Sequence, residues 1–138
     1  MAKIEFIIPV RPIPKSRPRI TKKGGKFWAY TPVRTKHAEK EFLNYANGYK
    51  PKDPLNGSIE LEVHFVFEIP KSWPKSKKEK ALRGELPHIS RPDLDNLLKF
   101  IKDALNMVFW KDDSQITKYS SCSKSYGKTS YTHIIIKS

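Results

Sequence analysis

The sequence predicts an α+β domain: a mixed β-sheet of about four strands with two main helices packed on one side. Three observations carry this. In residues 58–69 (SIELEVHFVFEI), Ile59, Leu61, Val63, Phe65, Phe67 and Ile69 face one way, and Glu60, Glu62, His64 and Glu68 face the other. That period of two marks a strand with one buried face. Residues 94–108 place Leu94, Leu97, Leu98, Ile101, Ala104, Leu105 and Val108 on one helical stripe. The order along the chain is strand, loop, helix, strand, short helix, helix, strand, strand. At 138 residues, one domain spanning 1–138 is expected, long enough to bury a core without staples.

Each element has its own signal. KIEFIIPV (3–10) alternates Ile4, Phe6, Ile8 and Val10 and reads as a strand. Residues 11–26 (RPIPKSRPRITKKGGK) are broken by prolines and Gly24-Gly25. They read as a stiff basic loop or an open hairpin ending in FWAY (27–30). Thr31 and Pro32 supply an N-cap and a first-turn proline for a helix over 32–47. Its apolar face is Ala38, Phe42, Tyr45, Ala46 and Tyr49, and Asn47-Gly48 offers a stop. Ser76 and Glu79 have the spacing of a capping box, which predicts a short helix over about 77–83 ending at Gly84. Residues 84–92 read as a loop. Two strands close the chain near 115–125 and 130–137, with a turn at Tyr126-Gly127-Lys128.

Composition narrows the function. The chain is 38% hydrophobic and 12% aromatic, which suits a folded domain, and its net charge is +13. Twelve of the 27 Lys and Arg lie in residues 1–50, against three acids. Residues 11–26 hold Arg11, Lys15, Arg17, Arg19, Lys22, Lys23 and Lys26 and no acid. Such clustering is the footprint of a polyanion, here read as nucleic acid. Cys122 is the single cysteine, so an intrachain disulfide and a CxxC zinc site are both excluded. The four histidines show no zinc spacing, and GxxxxGK[ST] is absent, so nucleotide use has no support. The first residues lack a signal-peptide pattern, and no apolar run approaches the ~20 residues of a membrane span. A soluble cytoplasmic protein is expected.

Against this cationic background, five of six aspartates fall between residues 91 and 116: Asp93, Asp95, Asp103, Asp112 and Asp113. Asp93 is placed to cap the second helix, with Asp95 in its first turn, where free N–H groups favour carboxylates. The two converge only if Asp93 lies outside the helix proper. Capping alone would also account for them. Lys99, four residues after Asp95, suits either a surface ion pair or a phosphate contact. Asp112 and Asp113 follow the helix end, where the macrodipole disfavours anions, and a bound cation would explain them. Carboxylates from two segments suit Mg²⁺. Asp103, mid-helix, reads as solvated or ion-paired. Trp28 and Tyr30 could stack on bases, although burial explains aromatics as well. Basic residues to neutralise phosphates, with carboxylates to hold Mg²⁺, together favour phosphodiester hydrolysis.

Three segments carry a resemblance: Arg91-Pro-Asp93-Leu-Asp95-Asn96-Leu-Leu-Lys99, then Asp103-Ala-Leu105, then Trp110-Lys-Asp112-Asp113-Ser-Gln115-Ile116. Their spacing resembles the core motif of RusA-type Holliday-junction resolvases. The close match covers about 26 residues, with looser agreement in the flanks. The resemblance implies a RusA-like fold and a Mg²⁺-dependent endonuclease of bacterial, often prophage, origin. It implies a homodimer that nicks two opposing strands of a four-way junction. Asp93, Asp95 and Asp113 match the catalytic, metal-binding acids, Lys99 the catalytic lysine, and Asp112 a neighbouring acid. Asn96 matches a position that could support the site by hydrogen bonding. The interval from Leu105 to Trp110 is about one residue tighter than in some relatives, which leaves the choice between Asp112 and Asp113 open. Arg17, Arg19, Lys22, Lys23 and Lys26 are assigned to the DNA backbone by charge alone, with Arg91 near the site. Two other readings stand beside this one: a less selective Mg²⁺ nuclease on flaps or other branched DNA, and a non-catalytic basic DNA-binding protein. The nuclease reading makes a geometric demand. The turn at 110–113 must fold back toward the helix start for Asp113 to share a site with Asp93 and Asp95.

Overall fold

The computed structural model describes residues 2–15, 19–30 and 33–138, and for Arg19, Thr21, Trp28 and Tyr30 the backbone alone. Strands β1 (Lys3–Ile8), β4 (Ile59–Glu68), β5 (Ile116–Gly127) and β6 (Tyr131–Lys137) form one mixed sheet in the order β1-β6-β4-β5. β6 is antiparallel to both β1 and β4, whereas β5 runs parallel to β4. A parallel neighbour needs a long crossover. Helices α2 (Lys75–Leu82) and α3 (Leu94–Leu105) lie in that connection.

The period-2 reading of β4 holds. Ile59, Leu61, Val63, Phe65 and Phe67 are buried, while Glu60, Glu62 and His64 face the less covered side. Helices α1 (Val33–Ala46) and α3 cover the apolar face. Phe42 of α1 meets Phe100 of α3 edge-on at 5.9 Å, and both join one core with Leu97, Ile101, Leu105, Ile134 and Ile136. Phe100, outside the expected stripe, is buried too, so the buried face of α3 is wider than the pattern indicated. Tyr45 of α1 is exposed rather than facing the core, and Tyr49 is half exposed while stacking on Phe6 at 5.1 Å. Thr31 and Pro32, the expected start of α1, lie outside the described residues.

Residues 19–30 form a hairpin, β2 (Arg19–Lys23) and β3 (Lys26–Tyr30), which is one of the two readings expected of this segment; three other features differ from expectation. Gly24 and Gly25 both take positive φ, 59° and 78°, so the glycine pair closes a tight turn rather than merely breaking structure. α2 starts after Pro74, which makes no side-chain cap, and the Ser76–Glu79 box does not form because both residues lie inside the helix. Trp73, just before that start, packs on Tyr126 at 5.0 Å. α3 stops at Leu105, because Asn106 is extended and Met107 takes φ 68°. The chain turns there to bury Phe109 and Trp110 completely, which outweighs continuing the stripe to Val108. Lastly, β5 and β6 do not pair with each other but flank β4. Gly127 allows this close fit, since a Cβ there would lie 2.6 Å from Val66 Cγ1.

Candidate active site

Asp93 is the N-cap residue of α3, in extended conformation (φ −68°, ψ 145°), so it does lie outside the helix. Its carbonyl accepts the Leu97 amide at 3.1 Å, but its side chain makes no capping bond. Asp95 sits in the first turn. Among the described residues, no hydrogen bond or ion pair engages either carboxylate. The two aspartates line different concavities that meet at Asn96. Asp93 shares one with Pro14, Lys15, Arg91 and Pro92. Asp95 shares the other with Lys99, Lys102, Asp103, Asp113 and Tyr119.

This second concavity meets the demand on the 110–113 turn in part. Asp113 faces the same groove as Asp95 and Lys99. The groove is long, since Asp95 and Asp103 are eight residues apart, a rise of ~12 Å along a helix. Among the described residues no three His, Cys, Asp or Glu side chains lie close enough to hold a metal ion between them.

The turn itself is tightly built. The buried Trp110 indole N–H needs an acceptor, and Asp113 Oδ1 supplies it at 2.8 Å. Asp112 does different work. Its Oδ2 accepts the Ser114 amide at 2.9 Å, capping a short 3₁₀ turn over Asp113–Gln115. The Ser114 hydroxyl and amide hold the Asp112 carboxyl below its ordinary value. Gln115 completes the cap: its Oε1 accepts the Lys111 and Asp112 amides at 2.8 and 2.9 Å. Its Nε2 donates to the Leu55 and Gly57 carbonyls at 2.9 and 3.0 Å, tying the turn to the chain before β4. Of the two adjacent acids, Asp113 lines the groove and Asp112 is a cap.

Asp103 is ion-paired rather than solvated. Lys15 Nζ lies 3.1 Å from its Oδ2 and 2.5 Å from Glu39 Oε1. Burial alone would lower the Lys15 pKa, but the two carboxylates outweigh it and raise it. The Lys15 amide also donates to the Asn96 carbonyl at 3.0 Å, so the segment that follows β1 is pinned to α3. Lys22, Lys23 and Lys26 are exposed on the hairpin. Arg17 lies outside the described residues, as do the side chains of Arg19, Trp28 and Tyr30.

Sequence reasoning missed three supporting residues. Trp110 and Gln115 stood within the quoted motif, but spacing does not show what they bond. Lys124 had no local signal. It lies on β5 and donates to the carbonyls of Ser90 and Pro92, immediately before Asp93.

The donor chemistry fits Mg²⁺ in an open arrangement. The groove and its neighbour offer hard carboxylate oxygens, two carboxylates without protein partners, and cations beside them. Mg²⁺ is commonly held by one or two carboxylates, with waters and substrate phosphates completing its shell. A closed cage built from protein alone does not fit.

Comparison with known proteins decides the class. The family described as Endodeoxyribonuclease RusA matches residues 9–137. This chain belongs to the RusA endodeoxyribonuclease family. It is similar to the uncharacterized protein YqaN of Bacillus subtilis (strain 168), 32% identical over 136 residues, covering 97% of this chain and 95% of that protein. The RusA assignment makes it an endodeoxyribonuclease of the Holliday-junction-resolvase type, acting on branched DNA. Among the described residues no helix is long and apolar enough to cross a membrane.

Proposed function

We propose that this RusA-family chain is a Mg²⁺-dependent, structure-selective nuclease of the bacterial cytoplasm. It acts as a homodimer and resolves four-way junctions by paired symmetric nicks. The observation that carries the reading is the groove that gathers Asp95, Asp113 and Lys99 on one lining in a chain of net charge +13.

One or two of Asp93, Asp95 and Asp113 would hold Mg²⁺, with waters and DNA phosphates completing its shell. Asp112, whose Oδ2 caps the turn, is the alternative to Asp113. The ion, when bound, supplies Lewis-acid stabilisation of the phosphate and a water activated for attack on phosphorus. Lys99 lies one helical turn beyond Asp95, on the same face, and reaches the scissile phosphate from there. Its charge offsets the negative charge that builds on the phosphate oxygens. Arg91 approaches the backbone beside Asp93. Lys22, Lys23 and Lys26 on the hairpin, with Arg17 and Arg19, hold flanking phosphates. Two nicks placed symmetrically require two sites related by a two-fold axis, which a homodimer supplies.

The test is cleavage of a synthetic four-way junction with and without Mg²⁺, alongside flap and linear duplex DNA. The junction should be cut only with Mg²⁺ and faster than the other substrates. Asp95→Asn should bind the junction and fail to cut it. An Asp95→Asn variant that cuts at the parent rate sinks the site assignment. Equal rates on junction and flap favour the less selective nuclease.

A further inference from the structure

Lys124 is placed on β5 opposite Phe65 of β4, so its backbone is fixed by the sheet. Its ammonium donates to the Ser90 carbonyl at 2.6 Å and to the Pro92 carbonyl at 2.9 Å. These carbonyls bracket Arg91, and the second belongs to the peptide that enters Asp93. The Asp93 side chain makes no capping bond of its own. The backbone that precedes it therefore sets where its Cα–Cβ bond points. Two short charge-assisted bonds to that backbone are strong constraints. A cation beside a helix start works against the macrodipole, so helix stability alone does not call for lysine here.

We propose that Lys124 is a positioning residue. It straps the 90–92 turn to the sheet, so that Arg91 and Asp93 face one concavity and Asp93 stands ready for the metal. The proposal rests on the reading of Asp93 as a metal ligand given above.

The test uses the full chain with Lys124→Met, which keeps length without donors, and Lys124→Gln, which restores a neutral N–H donor. Lys118→Met on the same strand is the control. Mn²⁺, which takes the same oxygen donors, is titrated without DNA and the free ion is read by electron paramagnetic resonance. Amide exchange over residues 91–97, metal-free junction affinity, junction cleavage with Mg²⁺ and thermal midpoint complete the set.

Lys124→Met should weaken Mn²⁺ binding and slow cutting, each by about tenfold. Exchange at Leu97, whose amide bonds the Asp93 carbonyl, should quicken, and metal-free junction affinity should fall by less than Mn²⁺ affinity does, since Arg91 is one phosphate contact among several. Lys124→Gln should recover part of both losses. Parent-like Mn²⁺ binding in Lys124→Met overturns the proposal. So does a lowered midpoint with unchanged Mn²⁺ affinity, which would mark a merely structural role. A Gln variant no better than Met overturns it as well. If Lys124→Met does not fold, Lys124→Gln must show quickened exchange and weaker Mn²⁺ binding, and parent values there overturn the proposal. Failure of the metal-ligand reading looks different: the parent itself neither binds Mn²⁺ nor cuts, and the proposal falls with it.

Discussion

The Trp110 indole N–H points at Asp113 Oδ1 across 2.8 Å, so a fully buried ring aims a groove-lining carboxylate. Trp110→Phe keeps most of the apolar volume and removes the donor. The lost bond to a charged acceptor and the residual void should together cost about 2 kcal/mol, read from chemical denaturation. Junction cleavage should fall by about tenfold, because the carboxylate is no longer held in one rotamer. An unchanged cleavage rate would separate Trp110 from the site and leave it a packing residue.

Gln115 makes four hydrogen bonds, two accepted and two donated. Gln115→Leu is close in size and removes all of them. The carbonyls of Leu55 and Gly57 then lose one partner each, as do two turn amides. A loss of about 2–3 kcal/mol is expected. Amide exchange should quicken at 111–115 and near Leu55, while β6 stays protected. Uniform quickening across the sheet would show that the turn is not an independent unit.

The readable and unreadable parts of this molecule divide by range. β4 and α3 were legible because each repeats one local period over ten or more residues. The end of α3 was not legible, because Val108 fits a helical stripe as well as the observed turn does. What decides is the burial of Phe109 and Trp110 against distant strands. The parallel pairing of β5 with β4 joins residues more than fifty positions apart, and strand pattern is silent on partner choice. The site followed the same rule. The motif spacing picks out Asp93, Asp95, Lys99 and the 112–113 pair as candidates, and only the fold shows that Asp113 lines the groove while Asp112 caps the turn. Nothing near Lys124 in sequence points to Pro92, thirty-two positions away.

Lys15 separates two carboxylates that would otherwise face each other without a counter-ion. Lys15→Met should destabilise by about 2 kcal/mol, less than a deeply buried pair would cost because Asp103 is partly exposed. Adding Asp103→Asn should return part of that loss. A double-mutant cycle with no coupling would show that the pair contributes nothing.

His88 should contribute to the acid limb of stability. Burial lowers its pKa, and the nearby charges of Lys124 and Arg11 lower it further. Its Nδ1 is buried without a partner. The folded state therefore binds this proton less readily than the unfolded chain, whose histidine titrates near its ordinary value of about 6.5. Stability is full above that value and is lost as pH falls through it toward the folded pKa. The thermal midpoint should drop between about pH 7.5 and 5.5, above the carboxylate range. His88→Phe, which keeps the ring contacts with Phe67 and Tyr126, should flatten that drop. The same slope in both proteins would assign the effect to other groups.

The hairpin should declare itself in salt dependence. Lys22, Lys23 and Lys26 are exposed along β2 and β3, with no acid between Glu5 and Glu39 to offset them. Each phosphate contact contributes about 0.9 to the slope of log K against log salt on duplex DNA. If all three lysines touch phosphates, the Lys22→Ala, Lys23→Ala, Lys26→Ala triple variant should lower that slope by about 3 in magnitude. Affinity should fall alike for junction and duplex, since phosphate contacts carry no sequence or branch information. Cleavage at saturating protein should stay near the parent rate, because the groove of Asp95 and Asp113 is built from other elements. An unchanged slope would remove the hairpin from the DNA surface. A loss confined to the junction would instead place it at the branch point.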